Sequence, residues 1–266
     1  MEIRLLAQAP RILVNGRTVV PGSPKERLIL TVLAHSAGEV VPTHTLIRHV
    51  WGNDASPSIR PSVYSAMTRI RNRLRDAGAD PLLVSRSQGY VLEIAPEAVD
   101  YNRVRRLYEE AGTRLGGGER RVAAGLLGQA LALWEGEPLA EVRGAWADAL
   151  RRRIAAFRLR VLVRWAEAQT GLGEYGAVLE RLADDADRWP GDGALACYRM
   201  RALAATGRQA EAVECCNARR MTLRARKATE RADACAGRVT ARSGTRKALV
   251  RGACPACRRP HRAGRG

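Results

Sequence analysis

Between Ser62 and Asp76 the chain reads SVYSAMTRIRNRLRD, and these side-chain types are ones that read and hold a polyanion. Arginine carries a planar fork of N–H donors that fits guanine O6 and N7 or a phosphate, and asparagine carries the donor–acceptor pair that fits adenine. At 100° per residue on a helix, Val63, Met67, Ile70 and Leu74 form one apolar seam. Ser65, Thr68, Arg69 and Asn72 lie opposite, with Tyr64, Arg71 and Arg75 on one flank and Arg73 on the other. A dry back, a small polar front and basic shoulders suit a helix seated in a major groove. Thr68, Arg69 and Asn72 are then nearest the bases, Arg69 matched to guanine and Asn72 to adenine, while Arg60, Arg71, Arg73 and Arg75 hold phosphates. Taken alone, the same stretch is also compatible with an amphipathic surface helix whose charges are merely solvated.

The neighbouring segments decide what positions it. Ile3–Ala7, Arg11–Val14 and Thr18–Val20 are short extended runs, and Asn15-Gly16 between the last two predicts a tight hairpin. Ser23-Pro24-Lys25-Glu26 predicts a helix start, with Ser23 as N-cap, Pro24 at the first helical position and Glu26 completing a capping box. Leu28, Ile29, Val32 and Leu33 form its apolar face and Gly38 stops it. A second helix spans Thr43 to Trp51, with Leu46, Ile47 and Val50 inward and Gly52 as the stop. After the arginine-rich helix, Leu82–Ser85 and Tyr90–Ile94 flank Arg86-Ser87-Gln88-Gly89, a hairpin with a small, basic tip. Three helices and such a hairpin predict an α+β winged helix-turn-helix with an N-terminal sheet, its tip (Arg86, Ser87, Gln88) at the adjacent minor groove.

Residues 1–95 resemble the OmpR/PhoB-type winged helix, the effector type of two-component systems. The resemblance rests on Leu46-Ile47…Val50-Trp51-Gly52, Thr68-Arg69-Ile70-Arg71 and Gly89-Tyr90-Val91-Leu92. From Val99-Asp100, through Ala130-Leu131-Ala132-Leu133-Trp134-Glu135-Gly136-Glu137-Pro138-Leu139, to Gly207-Arg208-Gln209-Ala210-Glu211-Ala212, the chain resembles the bacterial transcriptional activator domain. In that order the two halves are similar to the Streptomyces antibiotic regulatory protein (AfsR/SARP) family. The resemblance implies a transcriptional activator of specialised-metabolite (antibiotic) genes. It also implies two copies on tandem direct repeats of double-stranded DNA, contact with RNA polymerase, and no cofactor. Residues 1–95 are expected to bind DNA on their own, and 99–220 to assist dimer formation and polymerase contact.

The second half is helical by pattern: Tyr101–Leu115, Arg120–Trp134 and Trp146–Gly171 are separated by Gly116–Gly118 and Glu135–Pro138. Leu172-Gly173-Glu174-Tyr175 and Thr206-Gly207-Arg208-Gln209 begin similar segments 34 residues apart, the tetratricopeptide period. An all-α tetratricopeptide-like array is therefore expected, either contacting the transcription machinery or only bracing and dimerising the winged helix. Beyond Arg220 apolar periodicity ends. Residues 217–266 hold 15 Lys and Arg against 2 Asp and Glu, a net of +13 out of +18 for the whole chain. The tail from 221 to 266 is expected to be disordered, to add sequence-independent DNA affinity, and to leave the array uncapped around Val213. Such an abrupt change of vocabulary is what a shifted reading frame in GC-rich DNA produces.

Other chemistries find little support. The chain has no Gly-x4-Gly-Lys-[Ser/Thr] loop, no Gly-x-Ser-x-Gly elbow and no His-Glu-x-x-His, so no enzymatic activity is expected. All six cysteines fall at or after Cys197, and Cys254-Pro255-Ala256-Cys257 with Cys235 and His261 makes only a poor zinc set. His35, His44 and His49 are expected to pack or face solvent, and Trp51 and Trp134 to anchor the core. With no run of about 18 apolar residues and no signal peptide, a cytoplasmic, nucleoid-associated protein without membrane contact is expected. The alternative to an activator is a helical-repeat adaptor whose winged helix only docks protein. An adaptor has no need to keep Ser65, Thr68, Arg69 and Asn72 small and polar.

Overall fold

The computed structural model describes residues 1–221 and 224, apart from 20, 21, 80, 81, 186, 187 and 190. The remaining tail, with Cys235, Cys254, Cys257 and His261, lies outside the described residues. Three strands open the chain: β1 (Glu2–Arg4), β2 (Arg11–Val14) and β3 (Arg17–Val19), antiparallel in that order. The β2–β3 turn is Asn15-Gly16, and positive φ at both residues (49° and 79°) is what a two-residue turn of matching twist demands. The first strand is shorter than its apolar run. Leu5 and Leu6 leave the ladder, and their N–H groups go to the Asp100 carboxylate at 2.8 and 2.9 Å.

Helix α1 (Pro24–His35) begins as its cap residues dictate, Ser23 Oγ accepting from the Glu26 N–H at 3.2 Å. A two-residue strand β4 (Val41–Pro42), too short to leave a period in the sequence, leads into α2 (Thr43–Trp51). Helix α3 (Arg60–Asp76) is followed by β5 (Leu83–Arg86) and β6 (Gly89–Leu92), and the second sheet runs β4-β6-β5. The five α3 residues that are buried, Val63, Ala66, Met67, Ile70 and Leu74, contain the whole predicted seam.

Six helices follow among the described residues: α4 (Asp100–Gly116), α5 (Arg120–Ala132), α6 (Ala145–Gly171), α7 (Tyr175–Asp185), α8 (Gly193–Ala205) and α9 (209–221). Helix α8 left no clear signal in the sequence. Its N-cap is Asp192, which accepts from the Ala194 and Leu195 N–H groups at 3.0 Å. Gly173 and Gly207 take left-handed turns (φ 78° and 77°), and the helices after them start at 175 and 209, the predicted 34-residue offset. Val213 is exposed, as is Met221. Among the described residues no helix is long and apolar enough to cross a membrane.

One apolar core runs through both halves. Ile3 bridges Val99 and Ala7 bridges Glu135. In the α5–α6 loop, the Glu135, Leu139 and Glu141 N–H groups donate to the Leu6, Ala7 and Gln8 carbonyls at 3.1, 2.8 and 2.9 Å. Arg4 and Arg11 both pair with Glu135. The segment from Glu135 to Glu141 therefore latches the N-terminal strands to the helical half.

Candidate nucleic-acid interface

The front of α3 is as the sequence predicts: Tyr64, Ser65, Thr68, Arg69 and Asn72 are exposed, as are Arg60, Arg73 and Arg75. Beside it, Arg60 and Tyr64 of α3, Thr43 and His44 at the start of α2, and Ser85 to Tyr90 of the hairpin line a polar crevice of about 380 Å³. Thr43 and His44 carry no sequence signal of their own. They join the surface because the Thr43 N–H donates to the Gln88 carbonyl at 3.0 Å, pinning the hairpin turn to the start of α2. Ser87 and Gln88 form the exposed tip. Gly89 is what lets the strands meet, since a Cβ there would stand 2.1 Å from the Val41 carbonyl oxygen.

The arginines are less interchangeable than their spacing suggests. Arg71 is half-buried; its Nε donates to the Leu83 carbonyl and its Nη2 to Ser85 Oγ, both at 2.8 Å, and its guanidinium lies 5.9 Å from the Tyr90 ring centre. The spacing assigns Arg71 to phosphate, but its Nε and Nη2 are turned to the hairpin. It braces the wing against α3. Arg86 pairs with Glu93, so the basic tip is partly neutralised. Arg75 Nη1 donates to Asn72 Oδ1 at 3.2 Å, so the Asn72 carbonyl already has a partner within the helix. Thr68 Oγ1 donates to the Tyr64 carbonyl at 3.0 Å, which leaves its lone pairs facing outward chemistry.

Arg69 and Arg73 converge on Glu26 of α1. The Arg69 Nε donates to Glu26 Oε1 at 2.6 Å, and the Arg73 Nε lies 3.7 Å from Oε2. Burial alone pushes the Glu26 carboxyl up. The hydrogen bonds from Arg69 and Ser23 outweigh it and hold the group below its ordinary range. Glu26, expected only as a capping residue, is thus also an anchor for two arginines of α3.

Two of the three described histidines, His35 and His49, fall at the joint between the halves, and Trp51 packs partly buried against the core. His35 stacks on Tyr101 and meets Trp146 edge-on, with ring centres 5.9 and 5.8 Å apart, and His49 stacks on Trp146 at 5.2 Å. Trp134 is buried.

A model of the bacterial transcriptional activator domain matches residues 99–237, just over half of the chain, and one of the C-terminal domain of transcriptional regulatory proteins matches 16–92. The chain belongs to the Streptomyces antibiotic regulatory protein family. The family is one of transcriptional regulators rather than enzymes. Among its relatives is the regulatory protein AfsR of Streptomyces griseus, 32% identical over 192 residues, covering 72% of this chain and 19% of that protein. The regulatory protein DnrI of Streptomyces peucetius is 29% identical over 208 residues, covering 75% of this chain and 76% of DnrI. This family member thus spans about a fifth of the length of AfsR. In fold it resembles Mycobacterium tuberculosis EmbR in a complex with a low affinity phosphopeptide, with a TM-score of 0.77 at 24% identity over 84% of this chain and 59% of that one.

Proposed function

We propose that this regulator binds double-stranded DNA sequence-specifically through α3 and the β5–β6 wing and activates transcription of a specialised-metabolite gene cluster. The observation that carries the reading is the front of α3: four small or hydrogen-bonding residues exposed over a fully buried seam, flanked by arginines tethered at defined points. Tyr64 is the only large apolar side chain exposed on this helix, so an adaptor's apolar docking face has no counterpart here. Arg69 reads guanine, Thr68 and Asn72 lie beside it, and Arg60, Arg73 and Arg75 meet phosphate. The DnrI and AfsR likenesses support the antibiotic-cluster assignment. Tandem direct repeats as the target, a dimer on DNA and polymerase recruitment by the helical half belong to the same proposal and rest on the family resemblance alone. The domains divide near residues 95–99, and the 34-residue recurrence is a tetratricopeptide-like pairing.

Selection of the full chain on a random duplex library tests the reading. A single preferred motif is expected. Arg69→Ala should relax one base position of it, costing about 1–3 kcal/mol there. Arg75→Ala should weaken all duplexes alike and lower the salt slope by roughly one unit. An unchanged motif with Arg69→Ala would remove the groove-facing assignment.

A further inference from the structure

The geometry points to Glu26, a residue of α1 outside the reading helix, as the positioning residue that sets base preference by holding Arg69 side-on. This inference rests on the proposed role of Arg69 in reading guanine. A guanidinium is planar, so holding its Nε–H, together with the Cδ–Nε bond that comes from the helix, restricts the plane of all five donors. In this protein the fixed group is Nε, and the carboxylate that holds it is almost wholly buried, with a side chain only 3% exposed. The Arg69 side chain remains 54% exposed, and neither Nη has a hydrogen-bond partner among the described residues. Those two Nη groups include the pair of donors from which a bidentate contact to guanine O6 and N7 is built. An arginine bound to the carboxylate through its Nη fork would have that fork occupied. One bound through Nε alone keeps it available and pre-oriented, which lowers the ordering cost of binding.

The anchor is itself well fixed. Glu26 Oε2 accepts from the Gly22 N–H at 3.2 Å, and the Glu26 N–H is capped by Ser23. Arg73 supplies a second cation to the same carboxylate and lies against Gly22, where a Cβ would stand 2.3 Å from Arg73 Nη2. One buried negative charge thus organises two arginines at the protein surface. Glu26 touches no base in this scheme and contributes no attraction to DNA. Its charge opposes the approach of phosphate, and that gives its role a distinctive signature.

The test uses the full chain, a random duplex library and, for non-specific affinity, a fixed duplex lacking the selected motif. Glu26→Gln removes the charge and weakens the Nε tether. Discrimination at the base position read by Arg69 should fall about five- to 100-fold, while affinity for the fixed duplex holds or rises. Glu26→Asp keeps the charge but withdraws the carboxylate by one methylene. It should lose the same discrimination with the salt slope unchanged, and it carries the test if the Gln variant melts below the assay temperature. Combined with Arg69→Ala, either substitution should add nothing further at that position. If both Glu26 variants keep the wild-type motif, the inference is overturned, and a uniform change in affinity for every duplex overturns it as well. If Arg69→Ala itself leaves the motif intact, the fault lies in the reading of Arg69 and not in Glu26 alone.

Discussion

At the scale of single residues, five arginines lie within one helix, and their surroundings give them different work. Arg71 differs most from what its spacing suggests, because the Leu83 carbonyl and Ser85 hydroxyl both accept from it. A charged donor lost from a part-buried carbonyl costs about 1–3 kcal/mol. Arg71→Ala should therefore lower the unfolding free energy by an amount of that order, read as a fall in the urea midpoint, and loosen the wing, with the salt slope of DNA binding near that of the parent. A slope one unit smaller, with stability unchanged, would return Arg71 to the phosphate-binding set. Asn72 is a milder case. Arg75 occupies its carbonyl in the free protein, so reading adenine through Asn72 requires that contact to be exchanged for one with the base.

At the scale of elements, the wing depends on a close crossing. Strand β6 meets β4 in register Val41↔Tyr90 and Pro42↔Gly89. There is no room for a side chain at Gly89 against the Val41 backbone. Backbone cannot swing aside as a long side chain can, so Gly89→Ala must push the strands apart, at a cost of about 1–3 kcal/mol. The hairpin should then lose its tie to α2. Hydrogen exchange at the Thr43 N–H, which donates to Gln88, should accelerate well beyond that of β2. Equal protection of that N–H in parent and variant would show that the crossing has slack. The caps are simpler: Ser23 and Asp192 start α1 and α8 by satisfying N–H groups that the helices themselves leave open.

At the scale of the whole molecule, the two halves share a core and a buried carboxylate. Asp100 accepts from the Leu5, Leu6 and Tyr101 N–H groups. Burial nevertheless pushes it up to about 6, with Glu2 adding to the shift. A winged helix cut at residue 95 loses these acceptors, along with Val99 and the α5–α6 loop. The Leu5 and Leu6 N–H groups and the Leu6 carbonyl are then left without the partners that the helical half supplies. The expectation that residues 1–95 act alone therefore meets a structural cost. His35 and His49, at the same joint, are held below the ordinary histidine range by burial, then by Arg153 and Arg105 for His35 and by Arg48 for His49. The unfolded chain thus takes up histidine protons first, and stability falls as pH drops below about 6.5. Asp100 acts in the opposite sense. The folded state takes up its proton first, so its contribution is fully present below the unfolded value near 4 and is lost as pH rises through about 6. Asp100→Asn removes that offset. Between pH 7 and 5 the variant should lose roughly 1 kcal/mol more than the parent, read from denaturant midpoints at each pH. Parallel pH profiles would show that Asp100 does not titrate in this window.

Much of this was local information. The Asn15-Gly16 turn, the Ser23 cap, the α3 seam from Val63 to Leu74 and the 34-residue recurrence at Gly173 and Gly207 are legible because each is set by residues a few positions apart. Turn type, capping and helix periodicity are short-range physics, and they sufficed for the winged helix and the helical half. Contacts between distant residues leave no such trace. Nothing in the order of residues says that Glu26 meets Arg69 and Arg73, that Arg71 turns to the hairpin, or that Asp100 receives the N–H groups of Leu5 and Leu6. A helical wheel tells which arginines face outward. The buried acceptors on neighbouring elements decide which of their N–H groups remain at the surface.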